Sequence, residues 1–340
     1  MLARIVRKIN DWVQSPADYV DLGYAVARSW VGSPDYARAR WAGSVPLEAA
    51  RRVAVFHHFD ERGLIHDYVV FFVRKLAEAG FAVIFTSNAR RLTEQEAGKV
   101  LPHVSVVLKR ANVGWDFGAY KDAIAMLPDP GALEMLLITN DSVYGPLQDL
   151  SGAIAAADPA QAEIWGITDS WDRYFHLQSY FLIFHQAALR HPAFRSFWSK
   201  VRYYRRKWWV IKHYEVGLTR YFLRHGLRCR ALFPYRSIVA NVSTPIELGM
   251  GADSSTTRGQ YLRLLHNSIT SGSPLNQTHY FWDYLIGQGR CPFIKRDLLQ
   301  KNPVGIPYVQ RWEEVLKAAS SYDTELIVRH LQMTMRNRVY

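Results

Sequence analysis

The chain has 340 residues, 49% of them hydrophobic, enough for one large core or a main domain with a smaller appendix, and too apolar for a disordered or fibrous protein. Lysine and arginine number 42 against 30 aspartates and glutamates, so the formal charge of +12 points to an anionic partner; nucleic acid, acidic lipid and phosphate-bearing small molecules all satisfy it. Cys229 and Cys291 lack CxxC spacing, which argues against a disulfide framework or a thiolate zinc site and reads both as small core residues.

Residues 1–50 mix basic and aromatic side chains, with apolar positions at helical spacing from Met1 to Val13. Two readings fit: an amphipathic segment lying on a membrane surface, or a helix packed on the main domain with a solvated basic face. No apolar run approaches the roughly 20 residues that cross a bilayer, and no signal-peptide pattern opens the chain, so a cytoplasmic location at the inner face of the membrane is expected.

From Arg52 onward short β-branched or aromatic runs alternate with helical stretches. Strands are expected over Val53–Phe59, Phe81–Ser87, Val104–Leu108 and Met135–Thr139, and helices over His66–Gly80, Leu92–Val100 and Phe117–Leu127. Alternation of this kind implies parallel pairing, with ligand sites at the carboxyl ends of the strands. Beyond it, Ile164–Thr168, Gln178–Phe184 and Cys229–Phe233 read as strands, and His191–Val201 and Glu215–Gly226 as helices. Gly249–Gln260 and Ser268–Gln277 read as loops, and Val309–Arg338 as mostly helical. The expected organisation is an N-terminal helical extension (1–50), an α/β catalytic domain (51–240) and a mostly helical C-terminal extension packed on it (241–340).

Polar residues gather at the ends of the first four strands: His57, His58 and Asp60, then Asn88, then Arg110, Asn112, Gly114 and Asp116, then Asn140, Asp141 and Ser142. Such positions outline one crevice, although Asn, Asp and Gly also serve simply as turn residues. Asp141 ends an apolar strand and could hold a Mg²⁺ or Mn²⁺ ion bridging a nucleoside diphosphate. Arg110 and Lys121 flank the loop from Asn112 to Gly118, where guanidinium and ammonium groups could neutralise phosphate. Glu215 opens a helix; it reads either as a general base for transfer to a hydroxyl or as an acidic residue favoured by the helix dipole. His176, Gln178 and Tyr180 share one strand face and could bind acceptor hydroxyls, or form the polar side of a half-buried strand. The interleaved cations and aromatics of 202–213 favour an anionic membrane over RNA, since no nucleic-acid-binding signature accompanies them.

The ordered motifs Asn112-x-Gly-x-Asp116-Phe-Gly118, Thr139-Asn-Asp141-Ser-Val-Tyr-Gly145-Pro, Trp165-Gly-Ile-Thr168, His176-Leu-Gln-Ser-Tyr-Phe181, Tyr214-Glu-Val-Gly-Leu-Thr219, Thr278-His-Tyr-Phe-Trp282-Asp and Pro292-Phe-Ile-Lys295 resemble the rhamnan synthesis protein F family over about residues 50–310. That resemblance implies a bacterial rhamnosyltransferase of cell-wall or lipopolysaccharide biosynthesis, moving L-rhamnose with inversion from dTDP-L-rhamnose to a lipid-linked saccharide. A more distant similarity to family 2 glycosyltransferases implies a GT-A-like, Rossmann-type mixed sheet flanked by helices. It aligns Asn112, Gly114, Asn140, Asp141 and Glu215 with nucleotide, metal and base positions, and His58, Asn88, Asp116 and Lys121 join the expected donor site. Two departures stand out: one acidic residue in the metal motif, and Glu215-Val216 where those enzymes carry Glu-Asp. The sparse carboxylates leave open a noncatalytic saccharide-binding or assembly subunit that retains a degenerate nucleotide-sugar fold.

Overall fold

A computed structural model describes residues 16–30, 35–172, 174–247 and 255–335. The amphipathic Met1–Val13 segment and Gly249–Gly251 lie outside the described residues. A helix, α1 (Pro16–Trp30), leads into strand β1 (Ala37–Ala42). The alternating part follows as β2 (Arg52–His58), α2 (Asp67–Glu78), β3 (Ala82–Ser87), α3 (Glu94–Gly98), β4 (Val106–Arg110), α4 (Trp115–Ile124) and β5 (Met135–Asn140). Then come β6 (Val143–Tyr144), α5 (Leu150–Ala156), β7 (Ile164–Ser170), β8 (His176–Leu177), β9 (Phe181–His185), α6 (Gln186–Arg190) and α7 (Pro192–Ser199).

Helix α8 (Lys207–Val210), a π turn (Ile211–Glu215) and α9 (Val216–Arg224) form one continuous run that precedes β10 (Cys229–Phe233). The remainder comprises α10 (Tyr235–Glu247), α11 (Thr257–Thr270), α12 (Gln277–Tyr280), α13 (Trp282–Gly287), β11 (Ile294–Lys295), α14 (Arg296–Lys301), α15 (Trp312–Ala319) and α16 (Glu325–Thr334).

The main sheet runs β1-β4-β3-β2-β5-β9-β7-β10, with β8 attached to β7. Strands β4, β3, β2 and β5 are parallel, β9 is antiparallel to both β5 and β7, and β10 is parallel to β7. This is the mixed α/β sheet flanked by helices that the alternating pattern and the resemblance implied. The central strands are buried on both faces, which is why they read as unbroken apolar runs such as Val53-Ala-Val-Phe56 and Met135-Leu-Leu-Ile138. Chain order reverses between β2 and β5, and the crevice above such a switch point is where open α/β sheets bind ligands.

Several expectations change. Residues 1–50 supply more than a helical extension, because β1 joins the sheet antiparallel to β4. The segment expected as one strand over Gln178–Phe184 is broken: His176–Leu177 pairs with β7, a turn follows, and β9 begins only at Phe181. Helix α11 extends over 257–260 and 268–270, the ends of the two segments expected as loops; Thr256 caps it by accepting from the Gly259 amide, and Leu262 and Leu265 bury its apolar side. The C-terminal third is also part of the main core, since Trp282, Phe293, Leu298 and Ile327 pack in one cluster with Phe56, Phe72 and Phe85.

Candidate active site

Strand β5 delivers Asn140 and Asp141 to the switch point. The Asp141 carboxylate Oδ2 accepts from the Phe59 amide at 3.1 Å and lies 3.3 Å from Arg296 Nη1. Arg296 Nη1 also donates to the Tyr68 hydroxyl at 2.9 Å, and that hydroxyl donates to the Asp141 carbonyl at 3.2 Å. Burial opposes the Asp141 charge, but Arg296, His58, the Phe59 amide and His57 outweigh it and hold the carboxyl below its ordinary range. Asn140 Oδ1 accepts from the Ser142 amide at 3.1 Å, shaping the turn, and its Nδ2 reaches Asp116 Oδ2 at 3.4 Å.

Asp116 lies in the first turn of α4, opposite Glu215, which closes the π turn. The charges of Asp116, Asp141 and Glu215 all act on the buried Tyr120 phenol, which burial above all pushes well above its ordinary range. The helix runs unbroken from Lys207, so Glu215 does not sit at a free amino terminus and the helix dipole gives no account of it. Glu215 is half-buried and makes no hydrogen bond or ion pair among the described residues. π turns of this kind are frequent at functional sites, because they re-aim one side chain without ending the helix.

Burial, and behind it the Glu215 charge, push Asp116 up to about 6. The folded chain therefore holds this proton more tightly than the unfolded chain, and the stability that Asp116 contributes is lost as pH rises from about 4 to about 6. Asp116→Asn is expected to melt near the wild-type temperature at pH 4 and above it at pH 7 and 8. Melting curves whose separation does not grow with pH would refute this.

Other donor-site candidates are committed to internal contacts. Arg110 is 1% exposed. Its Nε and Nη2 pair with Asp122 Oδ2 at 2.9 and 2.6 Å, and its Nη1 donates to Asn88 Oδ1 at 2.7 Å and to the Val113 carbonyl at 3.1 Å. Its guanidinium thus braces the 110–116 loop from below rather than facing a diphosphate. Lys121 donates to the Ser199 and Val201 carbonyls at 3.2 and 2.6 Å, again away from the crevice. Asn88 completes the brace by donating to the Trp115 carbonyl at 3.2 Å.

His58 is held at both nitrogens, by the Leu64 carbonyl and Ser87 Oγ, each at 3.0 Å; since the carbonyl can only accept, Nε2 carries the proton. Asn112 is exposed. Gly114 has φ +74°, and an added Cβ would stand 2.8 Å from the Tyr203 ring and 3.0 Å from Gly118 Cα, so glycine is required by packing as well as by conformation. The next residue, Trp115, is 40% exposed with φ +54°, a strained backbone for a bulky side chain at the crevice rim.

Of the acceptor candidates, Gln178 and Tyr180 meet at Thr168, which contacts Gln178 Oε1 at 2.6 Å and the Tyr180 hydroxyl at 2.8 Å. His176 contacts the Tyr174 carbonyl at 2.8 Å. All three are buried, and Gln178 Nε2 reaches Asn276 Oδ1 at 3.3 Å.

The C-terminal third supplies residues that the sequence pattern did not single out. Strand β11 pairs antiparallel with β6, Lys295 opposite Val143, and the Arg296 amide donates to the Ser142 carbonyl at 2.9 Å. Arg296 is thereby fixed beside Asp141, and Lys295 beside Val143. Lys295 Nζ lies 4.2 Å from the Tyr180 ring centroid, and Asp297, Glu215 and Asp116 act on it. His279 Nε2 lies 3.2 Å from Asp297 Oδ1. Of these groups, the family-like motifs include only His279, in Thr278-His-Tyr-Phe-Trp282-Asp, and Lys295, in Pro292-Phe-Ile-Lys295.

A divalent cation fits this donor set poorly. Asp141 already holds a guanidinium on Oδ2, so a cation bridging a diphosphate there would have to compete with Arg296 for that carboxylate.

The interleaved 202–213 segment is less surface-like than its composition implied, because Tyr204 and Trp209 are buried. Asp21 of α1 accepts from the Arg205 amide at 3.1 Å and the Arg206 amide at 2.9 Å, and the Asp18 carbonyl accepts from Trp209 Nε1 at 2.6 Å. No helix among the described residues is long and apolar enough to cross a membrane. Both cysteines are free and buried, as expected.

Residues 83–246 match the family model described as rhamnan synthesis protein F. Protein y4gN of Sinorhizobium fredii, described as uncharacterized, is 27% identical over 222 residues, 62% of this chain and 57% of that protein; the chain thus spans little more than half of that relative. Virulence protein VirA of Vibrio anguillarum is 27% identical over 225 residues, 65% of this chain and 70% of that protein. Among solved structures, a mannosyltransferase from Pyrobaculum calidifontis in complex with GDP-Man and Mn²⁺ has 13% identity and a TM-score of 0.34, covering 93% of this chain and 88% of that one. The galactosyltransferase LgtC, in complex with donor and acceptor sugar analogs, has 12% identity and a TM-score of 0.36, covering 81% of this chain and 99% of that one.

Proposed function

We propose that this chain, a rhamnan synthesis protein F relative over residues 83–246, is a glycosyltransferase of polysaccharide biosynthesis that moves a sugar from a nucleotide donor to a saccharide hydroxyl. What supports the reading most is the Asp141–Arg296 ion pair at the carboxyl end of β5, with Glu215 acting on both Tyr120, as Asp141 does, and Lys295, the residue before Arg296. Glu215 accepts the acceptor proton as the hydroxyl oxygen attacks the anomeric carbon, and inversion follows from that single displacement. The family resemblance supports L-rhamnose on dTDP as donor and a lipid-linked saccharide as acceptor. Exposed Trp115, held at the rim, offers an aromatic face to the nucleobase.

Gln178 and Tyr180 lie beneath the acceptor side and act through Thr168 and Asn276. Membrane-surface association is supported by the outer side of α1, where Tyr19, Val20 and Tyr24 are exposed and the Arg205 guanidinium carbon lies 4.6 Å from the Tyr24 ring centroid. A panel of nucleotide sugars, dTDP-L-rhamnose included, tests the reading through nucleoside diphosphate released in the presence of a membrane saccharide extract. Release from one donor above the no-enzyme rate supports it, and none from any donor overturns it in favour of a noncatalytic subunit.

A further inference from the structure

We propose that Lys295 and Arg296 stabilise the leaving nucleoside diphosphate directly, so that this protein binds and turns over its donor without a divalent cation. The proposal rests on the glycosyltransferase reading above and deepens it. Its starting point is the β6–β11 ribbon, whose register places both cations alongside the segment that follows Asp141. Lys295 ends the strand and Arg296 opens the following helix; Arg296 reaches Asp141 and Tyr68, while Lys295 lies over Tyr180, where the charges of Glu215 and Asp116 act on it.

Two features separate this arrangement from a metal site. A hard cation needs several oxygen ligands and is repelled by a guanidinium, and here the single strand-end carboxylate already has its charge matched by Arg296. Lys295 shows the converse. Lys295 is half-buried, desolvation by its neighbours works against its ammonium charge, and no carboxylate forms an ion pair with it among the described residues; Asp297, Glu215 and Asp116 act only from a distance. Such a charge is costly unless something anionic completes its surroundings. Arg296 likewise has Nε and Nη2 free of hydrogen bonds among the described residues, leaving a donor edge for phosphate oxygens.

The chemistry balances without a co-reactant. The acceptor oxygen forms its bond to the anomeric carbon, the bond from that carbon to the diphosphate oxygen breaks, and its electron pair leaves with the diphosphate. The acceptor proton goes to Glu215. Two fixed positive charges beside the departing oxygen lower the barrier as negative charge develops there. Asp141 in this scheme is a positioning residue that holds Arg296 in place.

Calorimetric titration of the full chain with dTDP, UDP and GDP, in EDTA and then in Mn²⁺, tests the proposal. Expected is binding of at least one of the three with a Kd equal within about twofold in the two buffers; Lys295→Met weakens that binding by about tenfold or more, and Lys295→Arg restores most of it. Binding that appears only with Mn²⁺, or binding in EDTA that Lys295→Met leaves unchanged, overturns the metal-free site while the transferase reading stands. If none of the three binds in either buffer, both fall. The EDTA comparison uses the wild-type chain and so does not depend on any variant folding.

Discussion

Glu215→Gln is expected to lower kcat of sugar transfer by about 10²–10⁴-fold, the usual contribution of a general base, with donor affinity and melting temperature close to wild type. Gln keeps the volume and polarity of Glu but cannot take the acceptor proton. Stability should hardly change, because Glu215 is half-buried without a hydrogen bond or ion pair among the described residues and lies inside a continuous helical run. Asp116 is raised to about 6 by burial and then by the Glu215 charge, so removing that charge should also move the Asp116 titration downward. Steady-state kinetics with a thermal melt separates the roles: unchanged kcat would remove Glu215 from the chemistry, and a collapsed melt would make it structural.

Arg110→Met should act in the opposite way, costing about 3–5 kcal/mol of stability because it leaves one partner of a buried ion pair uncompensated. Arg110 is nearly inaccessible, and all three of its guanidinium nitrogens have partners in Asp122, Asn88 and Val113. Truncation therefore strands Asp122 and frees the Asn88 carbonyl that helps fix the loop ahead of α4. Denaturant unfolding reads the loss, while the KM for donor of the protein that remains folded stays near wild type. A variant with intact stability and a many-fold higher KM would instead restore Arg110 to the diphosphate, where its sequence position beside Asn112 and Gly114 had implied it belonged.

The contrast between Arg110 and Lys295 shows what could be read from the chain alone. Strand ends are legible because an apolar run such as Met135-Leu-Leu-Ile138 must stop where polar residues begin, and that rule located Asp141. Which polar residue faces the ligand depends on partners far along the chain. Asp122 claims Arg110 from the next helix, and Ser199 and Val201 claim Lys121 across the fold. Lys295 and Arg296 reach the crevice only because a two-residue strand pairs with Val143–Tyr144, a contact too short to leave a periodic signal. Strand β1 leaves no clear signal for a similar reason: Ala37-Arg-Ala-Arg-Trp-Ala42 is an edge strand alternating between half-buried and exposed positions, and it carries no apolar run. Residues 257–260 and 268–270 read as loop because Ser, Thr and Gly favour loops by composition, whereas Thr256 caps a helix whose leucines are buried by tertiary packing.

Hydrogen exchange with and without the nucleoside diphosphate of the active donor tests most directly whether the strand-end crevice is the working site. Slowed exchange is predicted in 57–60, 114–120, 139–144, 211–216 and 294–297. Protection confined to the amino-terminal side of the sheet, such as the basin of about 740 Å³ lined by Asp129, Arg190 and Arg195, with none near Asp141 and Lys295, would contradict it.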